Sequence, residues 1–131
     1  MVIDSSAFIA ILLHEPECDP YLHLIEQADV RRVSAASVLE TSINLESRRG
    51  EDAAREFDLF LVRSRIKIVS VDADQVEVAR AAWRRYGKGR HPAALNICDC
   101  FVYALAKTLD EPLLAKGKDF ALTDIRLAEA P

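Results

Sequence analysis

The sequence is short of several things, and each shortage removes a class of protein. No run of its 131 residues approaches the roughly 20 consecutive apolar side chains that cross a bilayer, which leaves no expected membrane span. Cysteine is scarce, with only Cys18, Cys98 and Cys100, an odd number without framework spacing. That argues against a secreted domain stapled by disulfides. The Cys98-x-Cys100 pair lacks the second pair that four-coordinate zinc demands, so both thiols read as buried groups on a helix. Met1-Val2-Ile3-Asp4 shows neither the basic start nor the small-residue cleavage site of a signal peptide, and the cytoplasm is the expected location. Positive charge is not in excess either. Seventeen Lys and Arg against 21 Asp and Glu give a net charge of −4, which excludes a generally basic nucleic-acid coat but not an enzyme that touches RNA through one patch. Gly-x-Ser-x-Gly, a Walker loop and His-Glu-x-x-His are all missing, and with them three common routes to hydrolysis.

What remains has the balance of a folded chain, with half its residues hydrophobic and 29% charged. The length suits one compact core, and no repeat or linker divides it, so a single domain over residues 1–131 is expected. Short apolar segments alternate with helical ones. Val2-Ile3 reads as a buried strand ending at Asp4. Ser5 or Ser6 can cap a first helix, Ala7 to His14, closed by Pro16. Asp19-Pro20 can open a second, to about Ala28. Arg32-Val33-Ser34 reads as a strand, and Ala35 to Arg49 as a helix with Val38, Ile43 and Leu45 on its apolar face, stopped by Gly50. Asp52 to Ser64 follows as a fourth helix and Ile66 to Val71 as a strand. Asp72 caps a fifth helix through Tyr86, and Asn96 a sixth from Ile97 to Thr108. Pro112 to Ala115 reads as a fourth strand, and Thr123 to Ala128 as a short edge strand. This alternation indicates an α/β domain with a parallel sheet covered on both faces, whose ligand site lies beyond the carboxyl ends of the strands, at a topological switch point.

Three acids stand where such a site would be. Asp4 ends the first strand and can serve either as a helix cap or as a ligand-facing carboxylate. Glu40 completes Ser37-x-x-Glu40, a capping-box pattern; if Ser34 is the cap instead, Glu40 moves to the second turn and that role disappears. Asp99 stands three residues after Asn96, where it suits both a capping box and the helix dipole. Gathered at one edge, carboxylates repel and raise one another's pKa unless a cation joins them. A hard divalent cation, Mg²⁺ or Mn²⁺, is the natural occupant of such an oxygen set and supports phosphodiester displacement.

The positive charge is also patterned. Between Glu77 and Asp99 no acid occurs, while Arg80, Arg84, Arg85, Lys88 and Arg90 accumulate beside His91. The stretch reads either as a solvated helix face running into a loop or as a rim that holds a phosphate backbone without reading sequence. Trp83 and Tyr86 are able to stack on bases, although a tryptophan at that helical spacing commonly belongs to the core.

Taken in order, Met1-Val-Ile-Asp4-Ser-Ser-Ala7, Ser34-Ala-Ala-Ser-Val-Leu-Glu40, Leu95-Asn-Ile-Cys-Asp99-Cys-Phe-Val-Tyr-Ala-Leu-Ala106 and Leu113-Leu-Ala-Lys-Gly-Lys-Asp119-Phe120 resemble PIN-domain proteins, and more narrowly the VapC toxins of type II toxin–antitoxin pairs. The resemblance spans nearly the whole chain. It implies a three-layer α/β/α domain around a central, mainly parallel sheet of four to five strands, and an endoribonuclease that uses Mg²⁺ or Mn²⁺. It further implies a homodimer silenced by a cognate VapB-type antitoxin. Asp4, Glu40 and Asp99 match the family's first three acids, the expected metal ligands. Many relatives place the fourth acid, or an Asn, where this chain has Gly117. Asp119, two positions on, is taken as the fourth catalytic acid, with Asp124 as the second candidate. Ser6, Lys88, Arg90 and Lys116 are the candidate RNA contacts.

Three rivals share parts of the pattern. A receiver-like signalling domain would use Asp72 as phosphoacceptor, but it wants two acids after the first strand, where Ser5 stands beside Asp4, and a proline after Lys116, where Gly117 stands. A haloacid-dehalogenase-type phosphatase wants Asp-x-Asp, and Asp4-x-Ser6 departs from it. A degenerate PIN domain that only binds would retain the fold, although Asp4, Glu40 and Asp99 are all intact.

Overall fold

The computed structural model describes residues 1–129, so the last two positions of the domain expected over 1–131 lie outside the described residues. Four strands form one sheet: β1 (Val2–Ile3), β2 (Arg31–Ser34), β3 (Ile66–Val69) and β4 (Leu113–Leu114), in the order β3-β2-β1-β4. Every pairing is parallel, with Val2 opposite Arg32 and Leu113, and Ser34 opposite Val69. Around it lie α1 (Ser5–Leu12), α2 (Cys18–Gln27), α3 (Ala35–Arg49), α4 (Glu51–Arg63), α5 (Ala73–Tyr86) and α6 (Ile97–Leu109).

The period of two along a strand makes the layers. Val2 and Leu113 face one core with Leu95, Val102, Leu105 and Phe120, on the side of α5 and α6. Their neighbours Ile3 and Leu114 face the other, with Phe8, Val33, Leu45, Phe57 and Leu61 from the side of α1 to α4. Strands so short, buried on both faces, carry no polar alternation, as a parallel sheet requires. The three-layer α/β/α architecture thus follows from two adjacent strands, β1 and β4, of two residues each. Among the described residues no helix is long and apolar enough to cross a membrane.

The topology sets the site. The chain steps from β1 outward to β2 and β3, then returns to lay β4 on the other side of β1, so the switch point lies between β1 and β4. Asp4 follows β1 there.

Several local expectations are corrected. Asp4, not Ser5 or Ser6, caps α1, and that helix ends at Leu12 because His14 turns into the left-handed region at φ 53°. The second helix starts at Cys18, with Asp19 and Pro20 inside its first turn, where proline's missing N–H is no loss. β3 stops at Val69, two residues short of Val71, and the tail contributes a single bridge, Leu113 to Leu127, rather than a strand. Ile43 is 57% exposed; only Leu45 of the three expected apolar positions on α3 is fully buried. Gly50 joins α3 to α4 at φ 82°, a conformation that costs other residues about a kcal/mol.

Candidate active site

Each acid reaches the carboxyl edge of the sheet by a different local device. Asp4 is extended (φ −82°, ψ 156°), and its Oδ2 accepts from the Ser6 N–H at 3.0 Å and the Ser6 hydroxyl at 2.5 Å. Ser34, at the end of β2, caps α3 by accepting from the Ala36 N–H. That removes Glu40 from any capping box and leaves it in the second turn, where it accepts a short hydrogen bond from the Ser5 hydroxyl. Asp99 is in a complete capping box: its carboxylate accepts from the Asn96 N–H at 3.0 Å while the Asn96 side chain accepts from the Asp99 N–H at 2.9 Å. The cap and ligand readings of Asp4 and Asp99 therefore do not compete. One oxygen engaged in capping leaves a carboxylate with further lone pairs.

Electrostatics show what the assembly lacks. Asp4 is 5% exposed. Burial raises its pKa above the usual carboxylate value; the Ser6 bonds oppose this and the charge of Glu40 adds to it. Asp99 is half-buried, and burial pushes its pKa up to about 6, with the Asn96 N–H pulling against the shift and the charges of Asp4, Glu40 and Asp119 adding to it. Cys98, one residue before Asp99, lies in the same field: burial, a hydrogen bond to Glu40 and the neighbouring acids push its thiol to about 12. A protonated thiol there makes a poor nucleophile.

The donors fit a hard divalent cation. They are carboxylate oxygens, mutually repelling and partly desolvated, the condition a cation relieves. Among the described residues no three Asp, Glu, His or Cys side chains form a finished ligand cage; Ser5 and Ser6 hold Glu40 and Asp4 by their hydroxyls. An unfinished set suits a divalent cation that binds through one or two carboxylates and retains several waters.

The other expected residues separate into groups. Asp119 is exposed in the segment after β4, and its charge reaches Asp99. Asp124 is committed elsewhere, accepting from the Tyr103 hydroxyl and the Lys107 ammonium, each at 2.7 Å. Ser6 bridges Asp4 to the segment after β4, because its hydroxyl also accepts from the Lys116 N–H at 2.9 Å. The Lys116 ammonium itself is held by Glu15 and Glu17, which raise its pKa. Lys88 and Arg90 are exposed. Asp72 caps α5 after the edge strand β3, with β2 between it and β1, roughly two strand spacings or 10 Å from the Asp4 end. That position does not serve a receiver. Ser5 and Cys98, both beside Glu40, had no signal in the sequence, because their partner is more than 30 residues away.

Comparison with known proteins agrees with this fold. The profile of the PIN domain family matches residues 1–125. The chain is 54% identical over 125 residues to Ribonuclease VapC of Mycolicibacterium smegmatis, covering 95% of this chain and 97% of that one. It is 50% identical to Ribonuclease VapC30 of Mycobacterium tuberculosis over the full length of both. In fold it resembles the crystal structure of M. tuberculosis VapC20, described as a Sarcin-Ricin loop cleaving toxin, with a TM-score of 0.81 at 20% identity over 99% of this chain and 98% of that one. It also resembles VapBC2 of Rickettsia felis bound to a DNA fragment from its promoter, with a TM-score of 0.71 at 17% identity, covering 96% and 95%.

Proposed function

The chain belongs to the PIN-domain family, among its VapC ribonucleases, and from that premise we propose that it cuts RNA as the toxin of a type II toxin–antitoxin pair, with Asp4, Glu40, Asp99 and Asp119 as its catalytic acids. The observation that carries the assignment of residues is the convergence on Asp99: burial and three like charges raise its carboxyl to about 6 at the carboxyl edge of a parallel sheet. Relatives of this kind depend on a divalent metal; Mg²⁺ or Mn²⁺ is the ion we assign, held by Asp4, Glu40 and Asp99. When bound, the cation supplies charge neutralisation and Lewis acidity at the scissile phosphate.

The chain's own residues do the positioning. The Ser6 hydroxyl donates to Asp4 and accepts from the backbone after β4, so it ties the first acid to the segment that carries Asp119. Ser5 fixes the rotamer of Glu40 across the gap between α1 and α3. Asn96 orients Asp99 through the capping box. Lys88 and Arg90 hold the RNA backbone as point charges. Lys116 contributes through its N–H to Ser6, with its ammonium engaged by Glu15 and Glu17. The whole of 1–131 acts as one domain, in the cytoplasm, with RNA as substrate and a VapB-type antitoxin as partner; the similarity to a toxin–antitoxin complex supports that partnership. A second copy of the chain covers the groove of about 580 Å³ between α3 and α6, where Leu39, Ile43 and Ile97 are 63%, 57% and 73% exposed.

The test is cleavage of a structured RNA by the purified chain. Activity should require Mg²⁺ or Mn²⁺, vanish with chelator and vanish in Asp4→Asn. Undiminished cleavage by that variant would remove the acids from the mechanism, and sedimentation of Leu39→Asp/Ile43→Asp as a dimer would remove the interface. The degenerate-domain alternative predicts no cleavage by the wild-type protein under any metal.

A further inference from the structure

Lys116 is exposed, yet its ammonium is engaged on two sides. Glu15 Oε2 stands 2.5 Å from Nζ and Glu17 Oε2 3.2 Å, so two carboxylates grip one cation. Both acids belong to Glu15-Pro16-Glu17, in the connection between α1 and α2. That connection is itself tied down. The Glu15 N–H donates to the Ala10 carbonyl at 2.8 Å, and the Cys18 N–H to the Glu15 carbonyl at 2.9 Å. Pro16 fixes the backbone between the two acids. The acids therefore stand on settled backbone, and the lysine is the partner that is held.

Opposite them lies the segment after β4. The Leu114 carbonyl accepts from the Asp4 N–H at 2.9 Å, and the Ala115 carbonyl from the Tyr21 hydroxyl at 3.4 Å. The Lys116 N–H donates to the Ser6 hydroxyl at 2.9 Å. The chain then turns at Gly117, with φ at 99°, and is anchored again where Phe120 enters the core. Asp119 lies in that short span, and its charge reaches Asp99. Ion pairs as exposed as that of Lys116 add little to global stability. Nor is the ammonium ready for a phosphate, since its withdrawal would leave Glu15 and Glu17 unpaired and repelling the same anion. What such a contact can do is hold a short segment in one place. Catalysis is sensitive to displacements of about 1 Å in the groups that perform it.

We propose that Lys116 is a positioning residue: gripped by Glu15 and Glu17, it fixes the 116–119 segment so that Asp119 stays within reach of the acidic centre. Glu15 and Glu17 act through Lys116 and do not touch RNA. The inference rests on the ribonuclease reading above and adds to it the device that holds the fourth acid.

Three variants test the tether. Lys116→Met keeps the backbone N–H and the aliphatic stem but loses the charge, Glu15→Gln/Glu17→Gln removes the charges opposite, and Lys116→Arg retains a cation. In chelator, amide exchange over residues 116–123 should quicken about tenfold in the first two, with α6 unchanged. In the cleavage assay both should lose about tenfold in kcat, with KM within about twofold of wild type. Combining all three substitutions should cost no more than either variant alone, because one contact is removed, and Lys116→Arg should restore most of the loss. Unchanged exchange over 116–123, additive losses, or full kcat in Lys116→Met would each overturn the tether while leaving the ribonuclease standing. A Tm far below wild type in either charge-removing variant would overturn it too, by making the contact a global one. A raised KM and a smaller salt slope in Lys116→Met, with tighter RNA binding by Glu15→Gln/Glu17→Gln, would assign the ammonium to the RNA backbone instead. RNA left uncut by the wild-type protein would overturn the positioning role and the ribonuclease reading together.

Discussion

Asp99 and Asp124 both make their contacts around α6, at opposite parts of it, and they live under opposite rules. Asp124 is surrounded by what a carboxylate wants: the Lys107 ammonium and the Tyr103 hydroxyl at 2.7 Å, with Arg85 at 3.9 Å. Lys107 first and Tyr103 next hold its pKa below the usual range, while burial first and the bond to Asp124 next push the Tyr103 phenol up. Asp99 has burial and three other acids, and only the Asn96 N–H in its favour. The first cluster is complete without any further component and fastens the tail onto α5 and α6. The second gathers charges of one sign in a partly desolvated place, which lowers the stability of the isolated chain. The contrast separates a carboxylate whose cationic and hydroxyl partners the fold supplies from one left among like charges, even though the sequence presents both as an aspartate near a helix.

The largest effect that can break this contrast is on activity. Asp99→Asn should reduce RNA cleavage roughly a thousandfold or more, whereas Asp124→Asn should leave kcat near wild type. Comparable losses in the two variants, read in the same cleavage assay, would erase the distinction. On stability the order reverses. Asp124→Asn weakens charge-assisted bonds at a site about one-third exposed and should cost about 1 kcal/mol, read as a fall of about 3 °C in Tm.

The two sites should also differ in the sign of their pH dependence. Asp99 titrates near 6 in the folded chain and near the ordinary carboxylate value, about 3.9, when unfolded. The folded state therefore binds more protons between those values, and stability falls as pH rises through that window. Asp124, with its pKa lowered, contributes stability above the ordinary carboxylate value and loses it as pH falls. In chelator, the Tm advantage of Asp99→Asn over wild type should grow from pH 5 to pH 7, while the deficit of Asp124→Asn should be constant across that range. A pH-independent Asp99→Asn difference would contradict the raised carboxyl. The smallest effect lies outside both clusters: Lys88→Ala should lower the slope of log binding constant against log salt by about one, and an unchanged slope would remove Lys88 from the RNA contacts.

Much of this was legible in the sequence because it is local. The strands, the six helices, the Asn96 and Asp72 caps and the edge at which Asp4 stands follow from periodicity and capping chemistry within a few residues. The choice between Ser34 and Ser37 as the cap of α3 was not local. It depends on where β2 ends, which its register against β3 sets, and with it goes the role of Glu40. The exposure of Ile43 and Trp83 escaped for the same reason, since periodicity marks an apolar face without saying whether another element covers it. The pairing of Lys116 with Glu15 and Glu17 and of Asp124 with Lys107 joins positions far apart in sequence, and nothing in the composition selects one partner from 21 acids.

The central claim is that Asp4, Glu40 and Asp99 are gathered for a cation at the expense of the cation-free fold. Thermal unfolding of wild type and Asp99→Asn at pH 7, in chelator and then with excess Mn²⁺, tests it most directly. The account predicts that without metal the variant melts at or above the wild-type temperature, and that Mn²⁺ raises the wild-type Tm by several degrees with little effect on the variant. A variant that melts well below wild type in chelator, or two proteins that respond equally to Mn²⁺, would contradict it.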